Sequence, residues 1–358
     1  MKQLKIAILG QGRSGRNIHG QFIIKNADKF KVVAVVDLLE ERRERAEREY
    51  GCDTYSDYRD LFKRKDIDLV INSTISHQHA PITLEFLKLG FNVLCEKPLA
   101  SKVEEVDGLI QASKLSNTLF AIFQECRYAL HIKQAWRVIN SGVLGEVVQV
   151  SISESNFSRR WDWQTLQEYN GGNLLNKGPH LIDQALQFFG TDLMPEVTSV
   201  LGRVNTFGDA DDYTKIILTG KGRPTIDIDM SNCCAYPSFS INIQGTRGGL
   251  VGSTTHLEWK YFIPMESPKQ KLIRTSLSND EGIPCYCSEQ LKWYEGKWDF
   301  PKNGDTFETM TAEYYEMIYR TLTEGVPLEI THDEVRQQVA VIQECLRQNP
   351  LSKLDSEG

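Results

Sequence analysis

The sequence predicts an α/β N-terminal domain, a doubly wound parallel sheet, followed by an α+β C-terminal domain built on an antiparallel sheet. Three observations carry that expectation. Short apolar runs alternate with helical stretches from Leu4 to Phe123, as in a parallel sheet wrapped by crossover helices. A glycine-rich turn joins the first run to the first helix. Beyond Val197, β-prone runs follow one another with only turn signals between them, the pattern of antiparallel strands. At roughly 100–200 residues per domain, 358 residues suggest two. The alternation stops near Gln124, so the domains are placed at 1–124 and 125–358.

Composition narrows the function classes. Apolar residues make up 41% of the chain and the net charge is −7, with the signs interspersed. The one dense charged run, residues 40–49, reads as the solvated face of a helix. There is no basic stripe for nucleic acid. No apolar run approaches the ~18–20 residues that span a bilayer. Residues 1–5 pass straight into a strand without a signal-peptide pattern, so a cytoplasmic protein is expected. Eight cysteines occur without a CxxC pair, and Cys285-Tyr286-Cys287 has no His or second pair at zinc intervals. Free thiols and no metal are expected.

Taken in order, Leu4–Leu9 has the length of a buried strand and runs into Gly10-Gln11-Gly12-Arg13-Ser14-Gly15. An amphipathic helix follows over 16–25. Strand, GxGxxG and helix are the context a dinucleotide fingerprint requires. The first glycine permits the tight turn, the second lets backbone approach a pyrophosphate, and the third lets helix and strand pack closely. The helix N-terminus favours the phosphate charge. A second strand, Phe30–Val36, ends at Asp37, at about the spacing where this fingerprint places an acid for the ribose hydroxyls. A carboxylate there repels a 2′-phosphate, so NAD is expected and NADP disfavoured. Arg42 and Arg43 are the counter-signal, read as exposed helix residues.

Helices are expected over 41–50 and 56–62, the second capped by Ser56. A strand at 68–71 ends in a polar loop, residues 72–79, that would line the cofactor crevice with Thr74 and His79. His77 and His79 either bind substrate or phosphate, or cap and pack against the helix that Pro81 opens. Residues 92–95 form a short buried strand, with Glu96-Lys97-Pro98 just beyond its carboxyl end. Ligands bind at that edge of open parallel sheets. Lys97 is therefore a candidate proton-transfer group, against the alternative of an ordinary surface lysine. Ser101 and Glu104 read as a capping box for a helix to Ser116, and residues 119–123 as a further strand.

In the second half, residues 127–141 read as a helix with Gly142 just past its end, and 146–153 as a strand. A loop then carries Arg159, Arg160, Trp161 and Trp163. Rings that stack on C–H faces and guanidinium forks suit a sugar or acidic ligand; a surface or oligomer contact is the alternative. On a helix over 174–189, Asn176, His180 and Asp183 fall on one face. Such a polar stripe needs a partner, and a nicotinamide crevice would supply one. Strands follow at 197–204, 213–218, 225–230 and 239–244. The acidic stretch 209–212 reads as a hairpin loop. A helix spans 310–323, and Thr331 with Glu334 forms a capping box opening a helix to Arg347.

These residues resemble the Gfo/Idh/MocA family of glucose–fructose oxidoreductases and inositol dehydrogenases. The matching features are Gly10-x-Gly12-x-x-Gly15, Asp37, Thr74 with His79-Ala80-Pro81, and Glu96-Lys97-Pro98-Leu99-Ala100. Others are Arg127-Tyr128, Gly142 with Gly145-Glu146, Gly171-Gly172-x-Leu174 through Gly178-x-His180-x-x-Asp183, and Gly245-Thr246-x-Gly248. The match is weakest over 256–305. The resemblance implies a Rossmann N-domain and a C-domain with a large, mostly antiparallel sheet and helices on one face. It implies that the open sheet face makes a homodimer or homotetramer, and that Lys97 is catalytic beside His180. A cis Lys97–Pro98 bond would suit the site. Two positions depart from the pattern: Asn176 stands where many members carry Asp, and Ile75 where Pro usually follows the Thr.

The expected function is NAD-dependent hydride transfer between nicotinamide and a secondary alcohol or ketone of a sugar, polyol or inositol. Lys97 and His180 are the candidate catalytic residues, and Asn176, Asp183, Arg127 and Trp163 the candidate substrate contacts. The cofactor contacts are Gly10, Gly12, Arg13, Ser14, Gly15, Asp37, Thr74, His79, Glu96 and Lys97. Two alternatives stand beside it: an NAD-recycling, glycoside-cleaving enzyme, and a non-catalytic nucleotide-binding regulator.

Overall fold

The computed structural model describes residues 2–301 and 304–354. The first domain is a six-stranded sheet of β1 (Leu4–Leu9), β2 (Phe30–Val36), β3 (Asp53–Tyr55), β4 (Leu69–Asn72), β5 (Val93–Cys95) and β6 (Phe120–Ile122). The order is β3-β2-β1-β4-β5-β6, and every pairing is parallel. Ile6, Ala7, Ile8, Leu9, Val70, Ile71, Val93 and Leu94 are fully buried. Both sheet faces are covered, so near-continuous apolar runs are what these strands require. Strand order reverses between β1 and β4, which opens the ligand crevice at their carboxyl ends. β3 escapes the sequence reading because Asp-Thr-Tyr is a short polar edge strand with no apolar run to mark it.

The crossover elements are α1 (Gln21–Lys25), α2 (Glu40–Tyr50), α3 (His79–Lys88) and α4 (Val103–Ser116). Residues Arg13–Gly20, ahead of α1, wind as a π-helix; nothing in the packing explains that wider turn. Two cap expectations are corrected. The turn at Tyr58–Lys63 is 3-10, and Asp57 caps it, accepting from Arg59 N–H; Ser56 lies one residue too early. No Ser101–Glu104 box forms, because α4 starts at Val103. The Val103 N–H donates instead to Gln343 Oε1 at 2.8 Å.

In the second domain α5 (Leu130–Asn140) follows a 3-10 turn, Glu125–Tyr128, so the helix expected at 127–141 begins later. Gly142 beyond it has φ +76°, the left-handed stop a glycine supplies. The helix expected over 174–189 is two pieces, α6 (Asn173–Asn176) and α7 (Gly178–Phe189), broken at Lys177. The strands are β7 (Val147–Ser153), β8 (Glu196–Gly202), β9 (Tyr213–Thr219), β10 (Thr225–Ser231), β11 (Ile241–Gly245), β12 (Gly248–Gly252) and β13 (His256–Tyr261). After them come a two-stranded ribbon of β14 (Leu277–Ser278) and β15 (Pro284–Cys285), and the edge strand β16 (Tyr294–Asp299). The large sheet runs β16-β13-β12-β11-β7-β10-β9-β8, and only β7 and β10 pair in parallel.

One face of that sheet packs Val150, Ile216, Ile226, Ile228 and Ile243 against α7 and α9 (His332–Gln348) in a second core. The helix between sheet and α9, α8 (Thr306–Glu324), returns to the first domain. Its Tyr314, Tyr315, Met317 and Ile318 belong to the first core, and the Tyr314 hydroxyl donates to Ile122 O at 2.6 Å. The Thr331 capping box opens α9 as expected. The carboxylates of 209–212 are buried loop anchors: Asp211 accepts from Leu174 N–H, and Asp212 from the N–H groups of Val204 and Asn205.

Candidate active site

Dinucleotide fit is tested at the glycine turn. A Cβ on Gly10 would meet Ser73 O at 2.5 Å, and one on Gly15 would meet Gly10 O at 1.9 Å. Gly12 has nothing within 4 Å. The outer glycines are therefore demanded by packing, while the middle one faces open space where a pyrophosphate would lie. Exposed Arg13 and half-buried Ser14 begin the helix there. Asp37 is buried, its Oδ2 accepting from Gln11 N–H at 2.7 Å and its Oδ1 from Leu39 N–H at 2.9 Å. Each oxygen keeps capacity for a ribose hydroxyl. These residues fit an NAD-type group.

Arg42 and Arg43 are not simply solvated. Arg42 Nη1 lies 3.5 Å from Asp37 Oδ2, and Arg43 Nη1 donates to Asp37 O and Leu38 O at 2.9 Å each. Two cations therefore stand against Asp37.

At the ends of β4 and β5 the polar residues are spent on one another. Thr74 Oγ1 donates to Asn72 Oδ1. His79 is buried, its Nδ1 2.8 Å from Pro98 O and its Nε2 3.0 Å from Thr74 O. It braces the Lys97 loop, and burial lowers its pKa. His77 packs on Tyr169 at 5.2 Å between ring centres, linking this loop to the second domain.

The Lys97–Pro98 peptide is cis. Lys97 is half-buried, and its Nζ donates to Asn176 O at 3.0 Å and Asn176 Oδ1 at 3.3 Å. Glu96, behind it, is 3.2 Å from His19 Nε2, whose Nδ1 is 2.7 Å from the Tyr315 hydroxyl. Burial opposes ionisation of Glu96, but the His19 hydrogen bond and the Lys97 charge hold its carboxyl down at about 2. Glu96 is a buried anchor reaching from the loop toward α8.

The polar stripe of the second domain finds three different partners. Asn176 meets Lys97. His180 Nε2 lies 3.9 Å from Glu125 Oε1. Burial, then the Lys97 charge, pulls His180 down to about 3. Burial, then Glu96, pushes Glu125 up to about 8. Asp183 is taken by Arg127 in a fork, Oδ2 to Nε at 2.7 Å and Oδ1 to Nη2 at 2.5 Å, with Glu334 on the far side at 3.2 Å. Arg127 and Asp183, expected as substrate contacts, are thus brought together as an ion pair.

In the Trp loop, Arg160 pairs with Asp162 and Gln164, and Arg159 lies over Phe207 at 4.8 Å. Trp161 is 77% exposed, while Trp163 sits edge-on to Tyr169. Trp163 therefore reaches the rim near His77, and Trp161 does not. Sequence reasoning missed Glu125, a buried acid two residues past the apolar run that ends at Phe123, which is a position that calls for a partner. It also left Lys177 without a role. Lys177 Nζ is 3.2 Å from both Glu154 O and Asn232 Oδ1, and burial lowers its pKa.

A parallel sheet with a glycine turn at its switch point, and a lysine at a neighbouring strand end, defines a dinucleotide-binding oxidoreductase frame. Residues 4–123 match the oxidoreductase family model with an NAD-binding Rossmann fold, and residues 132–251 match the GFO/IDH/MocA C-terminal domain. The chain belongs to the Gfo/Idh/MocA oxidoreductase family. It is 26% identical over 292 residues to 2,7-anhydro-N-acetylneuraminate hydratase of Mediterraneibacter gnavus, covering 77% of this chain and 76% of that one. It is 23% identical to scyllo-inositol 2-dehydrogenase (NADP(+)) of Bacillus subtilis, over 96% of this chain and 93% of that one. In fold it matches the WlbA dehydrogenase of Bordetella pertussis in complex with NADH and UDP-GlcNAcA. There the TM-score is 0.75 at 17% identity, covering 99% of each chain.

Proposed function

We propose that the protein is an NAD-dependent oxidoreductase that moves a hydride between nicotinamide and a secondary alcohol or ketone of a sugar, polyol or inositol. The observation that carries this reading is the Lys97 Nζ, fixed on Asn176 at the carboxyl end of β5. When bound, the nicotinamide accepts or returns the hydride. As the neutral amine Lys97 takes the hydroxyl proton in oxidation, and as the ammonium it gives one back in reduction. Asn176, an amide, does not titrate; it orients Lys97 and offers its N–H₂ to a substrate oxygen. His180 completes the wall beside Glu125. Trp163 and Tyr169 supply aromatic faces at the rim for a ring substrate. NAD is preferred because the Asp37 carboxylate repels a 2′-phosphate, with Arg42 and Arg43 opposing.

The test is a panel of sugars, polyols and glycosides with purified protein and NAD, following NADH absorbance and product together. The Lys97→Ala variant should still bind NAD and lose at least about 100-fold in turnover. Turnover near wild type would sink the assignment of Lys97. A second reading follows from the relative named a hydratase: NAD stays bound and is recycled within a turnover. Product without accumulating NADH decides for it. Tight NAD binding with no turnover on the panel would instead mark a regulatory nucleotide-binding protein. No helix among the described residues is long and apolar enough to cross a membrane, and we place the protein in the cytoplasm. The open face of the large sheet carries Gln149, Lys215, Asp227 and Asn242 in alternation with core residues; we propose it as the homodimer or homotetramer contact.

A further inference from the structure

We infer that Lys177 and Arg159 form a subsite for an oxyanion, the carboxylate or phosphate of an acidic sugar, on the second-domain side of the Lys97 crevice. The inference rests on the reading of that crevice as the reaction site and narrows its substrate to sugars that carry a negative charge. Lys177 stands at the break between α6 and α7. The His180 N–H donates to Lys177 O at 3.1 Å, which leaves Asn176 O to Lys97 Nζ at 3.0 Å. Lys177 is thus the residue next to the Lys97 contact. Its side chain reaches the carboxyl ends of β7 and β10. Those two strands run parallel, so Glu154 and Asn232, each one residue past its strand, lie together. Lys177 Nζ donates to Glu154 O and to Asn232 Oδ1 at 3.2 Å each.

An ammonium has three donors, and here two go to neutral oxygens. Among the described residues no carboxylate is in ion-pair contact with Lys177; the exposed Glu154 side chain acts on it only at a distance. A half-buried cation without a counter-charge is costly. Burial lowers the pKa of Lys177, and a bound anion would oppose that shift by favouring the charged form. The third donor and the uncompensated charge therefore call for a ligand of opposite sign.

The loop after β7 brings a second cation to the same wall. The Ser158 N–H donates to Asn232 O at 3.0 Å, so the residue that holds the Lys177 tip also holds this loop. Arg159, one residue on, lies over the Phe207 ring at 4.8 Å and pairs with no carboxylate among the described residues. Arg160 differs, being spent on Asp162 and Gln164. The loop continues to Trp163, set against Tyr169, whose ring meets His77 of the first domain. It therefore walls the crevice from Lys177 round to the first domain. Lys97, Lys177 and Arg159 are three cations without an ion-pair partner among the described residues, against the unpaired carboxylate of Glu154. Lys177 holds an oxyanion as a point charge, and the Arg159 fork can take two of its oxygens. The anion does not react. It fixes which ring carbon is presented to Lys97 and the nicotinamide.

The test compares glucose, glucuronate, glucose 1-phosphate and glucose 6-phosphate on the full chain with NAD. Calorimetry reads binding, and NADH absorbance reads turnover. At least one anionic sugar should bind roughly tenfold or more tightly than glucose, and glucuronate against the two phosphates tells which oxyanion the subsite takes. Lys177→Met should weaken that binding, and raise the KM, by roughly tenfold or more while kcat changes little. Lys177→Arg, which keeps the charge, should restore most of the loss. Arg159→Ala should cost a few-fold, as an exposed cation does. NAD binding retained in each variant shows that it folds. Glucose bound as tightly as the anionic sugars, no binding by any of the three, or a preference that survives Lys177→Met overturns the subsite. Turnover of glucose with no preference for its acidic counterparts overturns the subsite and spares the oxidoreductase reading. Acidic-sugar binding that is lost in Lys177→Met, with no turnover of any of the four, supports the subsite and counts against that reading.

Discussion

Asp37 shows how one side chain is asked to do two things. Its carboxylate holds the glycine turn through Gln11 N–H and the start of the following loop through Leu39 N–H, and in the proposed NAD complex it offers the same oxygens to a ribose. Asp37→Ala removes a charge-assisted hydrogen bond of about 1.5–3 kcal/mol, so the KM for NAD should rise roughly 10- to 100-fold. The KM for NADP should rise less, because Arg42 and Arg43 remain while the repelling charge is gone. Initial-rate kinetics with each cofactor measure this, and an unchanged NAD KM would remove Asp37 from the ribose. At this scale the sequence was partly legible. Gly10, Gly12, Gly15, Asp37 and Lys97 are local: the fingerprint and the strand end say where each must be. The Arg127–Asp183 pairing was not legible, because a polar residue on an inward face says only that it needs a partner. Which partner it finds depends on contacts far apart in the chain, and here each is the other's.

Among elements, the Arg127–Asp183–Glu334 brace joins the turn after β6, α7 and α9. Both members of the fork are largely buried, with side-chain exposures of 15% and 3%. Removing one partner of a buried pair strands the other charge. Asp183→Ala should therefore destabilise by about 3 kcal/mol, at the low end of such losses because Glu334 still faces Arg127. Urea unfolding gives that difference, and a loss below about 1 kcal/mol would mean that the pair is dispensable. Element existence was legible from periodicity wherever burial is two-sided or strictly alternating, as in β1, β2, β9 and β10. It failed where the signal is tertiary. α4 takes its N-terminal partner from Gln343 on another helix. The polar stripe breaks at Lys177 instead of continuing one helix. Strands β12, β13 and β16 are glycine-rich or charged on the open face, so their sequences lack an apolar run.

For the molecule as a whole, acid stability is set by buried groups that prefer to be neutral. His131 on α5 is 9% exposed, and burial alone lowers its pKa to about 4. In the unfolded chain a histidine titrates near 6.5. Above pH 6.5 both states hold it neutral and its contribution is complete. Between pH 6.5 and 4 the unfolded state binds a proton that the folded state refuses, so stability falls; below pH 4 the loss stops growing. At 1.36 kcal/mol per unit the loss is about 3 kcal/mol at most. His180, held near 3, acts in the same direction. Glu125 and Asp211, raised by burial to about 8 and about 6, act oppositely, because protonation suits their folded form. The net pH profile is thus a difference, and a single variant isolates one part of it. His131→Gln should carry a constant offset from the lost packing. Its unfolding free energy, followed by urea denaturation from pH 7 to pH 4, should then decline by about 3 kcal/mol less than that of the wild type. Parallel profiles for the two proteins would show that His131 is protonated as readily inside the fold as outside it.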